Sequence, residues 1–253
     1  MWSRAILKQN ARTALSGKYA TAFAACLIVS LISRVFQFVQ EGSKMQDAIA
    51  SGQALLQPWK WGGLGFFSVA FDVFVGIALA VGLARFFVQN HFGVTDVGTI
   101  FSGFRRSYGN TTGALFVTDL FIGLWSLLLI VPGIVKALEY CMVKFILSDN
   151  PSMPGARARQ ISSMMTHGEK ADVLMLVLSF FGWFLLAGIP AAVFSRFLQP
   201  VGLLLSTVTL SLVSAYYNAA FAELYIYMRG RLIESGAVNP AEFGLVPPAP
   251  PAA

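Results

Sequence analysis

The chain reads as long apolar blocks separated by shorter polar ones. Among charged residues, Tyr19 to Val39 holds only Arg34, Gly62 to Arg85 holds Asp72 before its terminal arginine, and Val201 to Met228 holds only Glu223. Ala171 to Ile189 carries Asp172 at its start and is apolar thereafter. A helix of about 20 residues matches the roughly 30 Å of bilayer hydrocarbon, where backbone groups must bond one another. The blocks therefore predict transmembrane helices. Ahead of them, Met1 to Ser16 sets Trp2, Ala5, Ile6 and Leu15 among Arg4, Lys8 and Arg12, the pattern of an amphipathic helix in the headgroup layer. That charged region is too long for a cleaved leader and no Ala-x-Ala-like site follows, so the first block reads as a retained span.

One block is too long. Gly113 to Leu147 would extend about 52 Å as a single helix, and Pro132-Gly133 interrupts it. A turn there gives about six spans. Arg4, Lys8, Arg12, Lys18, Arg85, Arg105, Arg106, Arg157, Arg159, Lys170, Arg229 and Arg231 then share the side of both termini, against Lys44, Lys60 and Arg196. Without the turn the later loops change sides and the bias disappears. Cations favour cytoplasmic loops, so the hairpin is expected, with both termini cytoplasmic. Trp59 and Trp61 fall where an aromatic belt would lie, and Asp149 to Lys170 holds a short basic helix.

Composition agrees. The 253 residues are 56% hydrophobic and 12% charged, too few charges to cover a soluble surface of this size. The net charge of +6 is dispersed between apolar runs rather than gathered on one solvated face, which argues against nucleic acid as a partner. Cys26 and Cys141 sit within apolar stretches as small hydrophobes, and His91 and His167 are isolated polar-loop residues. With no phosphate loop, nucleophile elbow or metal-ligand spacing, no catalytic residue, metal or cofactor is expected and the chain reads as a non-enzyme. The expected organisation is all-α: one polytopic helical domain over residues 1–231, then a disordered proline-rich tail over 232–253 ending in Pro247 to Pro251.

Trp2-Ser3-Arg4 with Leu7-Lys8, Asp119-Leu120-Phe121, the run Trp125 to Ile134, Asn150-Pro151, and Met164-Met165 with His167-Gly168 resemble a known family. Leu178-Ser179-Phe180 with Gly182-Trp183, and Ala222-Glu223-Leu224-Tyr225, continue the likeness nearly to Arg231. The chain is similar to the domain of unknown function 975 family of bacterial multi-spanning membrane proteins, itself similar to the membrane half of some glycerophosphodiester phosphodiesterases. The resemblance implies a bacterial cytoplasmic membrane and transfers no catalytic residue.

Charges inside spans are costly unless paired or hydrated. Counting from Pro132-Gly133, Asp119 lies within one turn of Lys144, which predicts an ion pair between the hairpin arms; Lys136 and Glu139 are expected to pair at i,i+3. Asp72 and Glu139 are candidates for a polar pocket, and Glu223 for a headgroup site with the surrounding tyrosines and Arg229. Asp72, Asp119, Glu139, Lys144 and Glu223 thus form the candidate intramembrane site. Arg105, Arg106, Arg157, Arg159 and Arg229 are expected to touch anionic headgroups. Membrane lipids are the expected partners, with a protein partner or a second copy of the chain besides. Transport or handling of a lipid, amphiphile or ion is the expected role, and a non-catalytic scaffold or regulatory subunit the alternative.

Overall fold

The computed structural model describes residues 2–35, 38, 70–195 and 198–245, and among these the regular structure is helical throughout. The first helix, α1 (Arg4–Leu15), is capped by Ser3, whose hydroxyl accepts from the Ile6 N–H. Leu7, Ala11 and Leu15 recur every fourth residue and are buried, so these three, rather than Ala5 and Ile6, form its apolar stripe; both of the latter are exposed. Gly17 then turns the chain through a left-handed backbone, and α2 (Tyr19–Ser33) leaves at 95° to α1. Lys44, Asp47, Trp59, Lys60, Trp61, Arg196 and the Pro247–Pro251 run lie outside the described residues.

A π-helical turn, Asp72–Gly76, leads into α3 (Ile77–His91). The chain then doubles back through a 3-10 turn, Val97–Phe101, and α4 (Ser102–Arg105), which pack along α3. Glycines make this packing close: a Cβ at Gly82 would lie 1.8 Å from the Ile100 carbonyl oxygen, and one at Gly103 would lie 2.1 Å from that of Ala78. Ala78 and Gly82, spaced as a small-residue pair, thus receive a returning backbone.

Next come α5 (Tyr108–Leu128) and α6 (Ile130–Tyr140), which pack as a hairpin. The turn is not at Pro132-Gly133. It falls at Leu129, whose backbone is fully extended. Pro132 occupies the first turn of α6, where a missing N–H leaves no bond unmade. Gly133 serves the crossing: a Cβ there would meet the Ser126 hydroxyl at 2.2 Å. Beyond Tyr140 the second arm breaks. Ser162 spans the break, donating to the Glu139 carbonyl (2.7 Å) and accepting from the Met142 N–H (3.3 Å), before α7 (Val143–Asp149) resumes.

The basic loop helix forms as α8 (Gly155–Thr166), followed by α9 (Lys170–Phe194) and the long α10 (Gln199–Glu234). Among the fully buried side chains, Phe86, Phe87, Phe145, Ile146, Leu147, Ile161 and Tyr225 come from α3, α7, α8 and the second half of α10, and Phe180 joins them from α9. Elsewhere the surface is greasy: Leu127 is 86% exposed, Ile130 76% and Trp183 60%, with Leu185, Leu186 and Ile189 beside them. Such a surface suits acyl chains as solvent and would be untenable in water. Among the described residues, Val73–His91, Tyr108–Leu128, Lys170–Phe194 and Val201–Glu234 are long and apolar enough to cross a membrane; α1 with α2 adds a fifth if that bent pair counts as one span. The interrupted arm α6–α7 is not among these candidates.

The carboxyl-terminal boundary also differs from expectation. Residues 232–245, expected within a disordered tail, complete α10 and continue through a 3-10 turn, Pro240–Phe243. Phe243 and Val238 are buried, and Arg157 clamps Glu242 through Nε (2.8 Å) and Nη2 (3.0 Å). Hydrogen bonding from Arg157 holds the Glu242 carboxyl below its ordinary value.

Two outcomes follow from this packing. Gly82→Ala should lower the thermal midpoint of the detergent-extracted protein, by the equivalent of about 1–3 kcal/mol or more, because the Ile100 backbone has nowhere to go; Gly123→Ala, which meets open space, should not. A carboxyl with a lowered native value stabilises above its unfolded value and ceases to as pH falls through the native one. Hydrogen exchange of Val238–Leu245, corrected for intrinsic rate, should therefore stay slow at neutral pH and accelerate below about pH 4. Glu242→Gln should exchange faster at neutral pH and show no acid step; the loss should be about 1 kcal/mol or less for so exposed a pair.

Candidate functional site

The acidic groups of the bundle mostly face cations from other helices. Glu139 on α6 lies 3.0 Å from Lys136, as the i,i+3 spacing predicts, and 2.7 Å from Lys170 at the start of α9. It is a two-lysine staple between elements. Asp72 opens the π-helical turn, and its side chain lies outside the described residues.

Asp149 closes α7 and receives two groups from one face of α10. The Tyr225 hydroxyl donates at 2.6 Å and Arg229 Nη1 at 2.5 Å to the same carboxylate oxygen, with the guanidinium over the Tyr225 ring. Arg229 is buried, so its guanidinium is held within the protein and is not presented at the surface. Nor does it join Glu223: His91, the last residue of α3, lies there instead, with Nδ1 2.6 Å from Glu223 Oε1. Glu169 accepts from Trp2 Nε1 at 2.7 Å and from Arg231, tying the amino terminus to the end of α10. His91, Asp149, Glu169 and Lys170 were not marked by the sequence as site residues. The i,i+4 spacing of Tyr225 and Arg229 places them on one helix face, but nothing local to them points to Asp149.

Asp119 and Lys144 do come together, though not as an ion pair. Both line a cavity of about 220 Å³ with Thr118, Tyr140, Cys141 and Tyr217, and no salt bridge joins them. The displaced turn changes the register: the contact of Gly133 with Ser126 sets Asp119 level with Tyr140, on the near side of Lys144 rather than beyond it.

Of the remaining arginines, Arg157 is held by Glu242, and Arg159 lies over the Phe121 ring with Nη1 3.4 Å from the Thr118 hydroxyl. Arg105 and Arg106 are exposed and make no ion pair among the described residues.

The largest departure from expectation lies beside α1. Arg4, Lys8 and Arg12 repeat every fourth residue next to the buried stripe, and among the described residues no carboxylate pairs with them. Lys8 and Arg12 line a groove of about 650 Å³ closed on the far side by Trp183, Leu212 and Tyr216. Lys8 Nζ stands 4.7 Å above the buried Phe180 ring, and Arg12 lies over Tyr216. The walls are tied by Tyr216 donating to the Lys8 carbonyl and Tyr19 donating to that of Leu212. One wall therefore offers two cations, and the other offers aromatic and aliphatic surface.

Comparison with curated proteins and with solved structures yields no significant match. A family model described as a protein of unknown function, DUF975, matches residues 99–230. That match takes in the region from the 3-10 turn before α4 to the Arg229-bearing end of α10, more than half of the sequence, and the chain belongs to this family.

Proposed function

We propose that this protein binds and handles an anionic amphiphile of the bacterial cytoplasmic membrane, without catalysing its chemical change, and that both termini face the cytoplasm. The groove beside α1 carries the proposal. Two cations with no carboxylate partner among the described residues face a wall of tryptophan, leucine and tyrosine across about 650 Å³. Cations left unpaired against low-dielectric surface favour an incoming anion, since the interaction is weakly screened there. The apolar wall suits an acyl chain and the cationic wall suits a phosphate or carboxylate head. A soluble anion would gain nothing from Trp183, and a neutral lipid nothing from Arg12. A scaffold or regulatory subunit, the alternative role, would need neither feature.

The test compares wild type with Lys8→Gln/Arg12→Gln, both purified gently from native membranes and examined by native mass spectrometry. Each basic residue near an anionic headgroup contributes about 1 kcal/mol, so the double variant's affinity should fall roughly thirtyfold and its occupancy with it. Wild type should carry about one anionic amphiphile per chain. Equal occupancy in the two proteins, or a stoichiometric protein partner with no amphiphile, would defeat the proposal and favour the scaffold.

A further inference from the structure

A second cationic cavity lies elsewhere, built from different residues. Arg85 from α3, Arg105 at the end of α4 and Arg106 just after it line a polar pocket of about 660 Å³, with Ser107 and Ser152 on its rim. Its one acidic residue, Asp149, is already engaged by Arg229 and Tyr225. Arg85 spends one N–H on the Ser148 carbonyl at 3.0 Å, which fixes the guanidinium and leaves its other donors free. Ser107 and Ser152 hydroxyls are 3.2 Å apart, joining the two rims. Ser107 stands in a left-handed backbone at φ 44°, a conformation costly for a residue with a side chain. That strain turns the chain directly after Arg106 and keeps the paired arginines at the mouth.

We infer that this pocket is a binding site for a phosphate or phosphomonoester group. Planar guanidinium groups match phosphate oxygens two at a time, and three of them around one cavity supply the charge of a dianion with excess. Hydroxyls at the rim add neutral donors. The volume exceeds that of a bare phosphate and leaves room for a polar organic group attached to it. The lining is dominated by arginine, serine, asparagine and glutamine rather than by lipid-like surface, which separates this site from the groove beside α1. A soluble molecule and a lipid headgroup can both carry such a phosphate, and the chemistry at the arginines is the same.

The experiment uses the full chain in two kinds of nanodisc: pure phosphatidylcholine, and phosphatidylcholine with 20 mol% phosphatidic acid, a phosphomonoester lipid. Inorganic phosphate is titrated calorimetrically into the first, and retained phosphatidic acid is counted in the second after detergent exchange. Proteins compared are wild type, Arg105→Gln/Arg106→Gln, and Lys8→Gln/Arg12→Gln. Arg105 and Arg106 are exposed and their side chains make no hydrogen bond or ion pair among the described residues, so their variant should keep the wild-type thermal midpoint. Binding of inorganic phosphate by wild type, weakened at least about tenfold in Arg105→Gln/Arg106→Gln and intact in Lys8→Gln/Arg12→Gln, supports the site with a soluble ligand. Retention of phosphatidic acid with the same variant pattern and no response to inorganic phosphate supports it with a lipid ligand. No binding of either probe by wild type, or binding equal in wild type and Arg105→Gln/Arg106→Gln, overturns it. The Lys8→Gln/Arg12→Gln arm keeps failure of the α1 groove distinct from failure here.

Discussion

A carboxylate in or beside a low-dielectric bundle is costly without a positive partner, and the pairing of such acids organises this protein, Asp119 excepted, which shares a cavity with a lysine but makes no salt bridge among the described residues. Burying one half of an ion pair alone costs several kcal/mol, far more than the pair returns when complete. Here the cations come from separate elements: Glu139 meets Lys170, Asp149 meets Arg229, Glu169 meets Arg231 and Glu242 meets Arg157, while Glu223 takes the imidazole of His91 as its hydrogen-bond partner. Each contact joins positions distant in sequence, so each fixes the placement of one helix end against another. Apolar packing between membrane helices has little direction of its own. The charge contacts supply it.

The same logic identifies what is left over. The chain has 18 Lys and Arg against 12 Asp and Glu, so pairing the acids cannot exhaust the cations. The surplus is not scattered evenly. Lys8 and Arg12 stand along one groove and Arg105 and Arg106 along another pocket, while the acids nearest them are already engaged. Structural pairing and anion binding are thus two consequences of one charge inventory. The two cavities differ in their opposite walls, apolar beside α1 and polar beside α4, and this difference separates an amphiphile from a phosphate group.

Much of the architecture was legible in the sequence because its cause is local. Apolar blocks of membrane length, the cationic first helix, the basic loop helix and the Lys136–Glu139 spacing all depend on residues near one another. The hairpin was legible in kind and misplaced in position. Pro132-Gly133 looks like a turn, yet proline is at home in a first helical turn and Gly133 is needed where the arms cross. That displacement moved Asp119 from level with the residues after Lys144 to level with Tyr140. The pairs Glu223–His91, Asp149–Arg229 and Glu139–Lys170 were hidden because no spacing rule links residues on separate helices. The ordered segment to Leu245 was hidden by the proline-rich run after it, which masked Phe243 as an anchor.

The most direct test of the organising claim is a double-mutant cycle on Asp149 and Arg229, the most enclosed of these pairs, with unfolding followed in mixed detergent micelles. If charge pairing fixes helix placement, Asp149→Asn and Arg229→Gln should each lose about 3 kcal/mol or more, and the double variant little more than either alone. Losses that simply add, or single variants as stable as wild type, would show that apolar packing positions these helices and that the charge contacts are incidental.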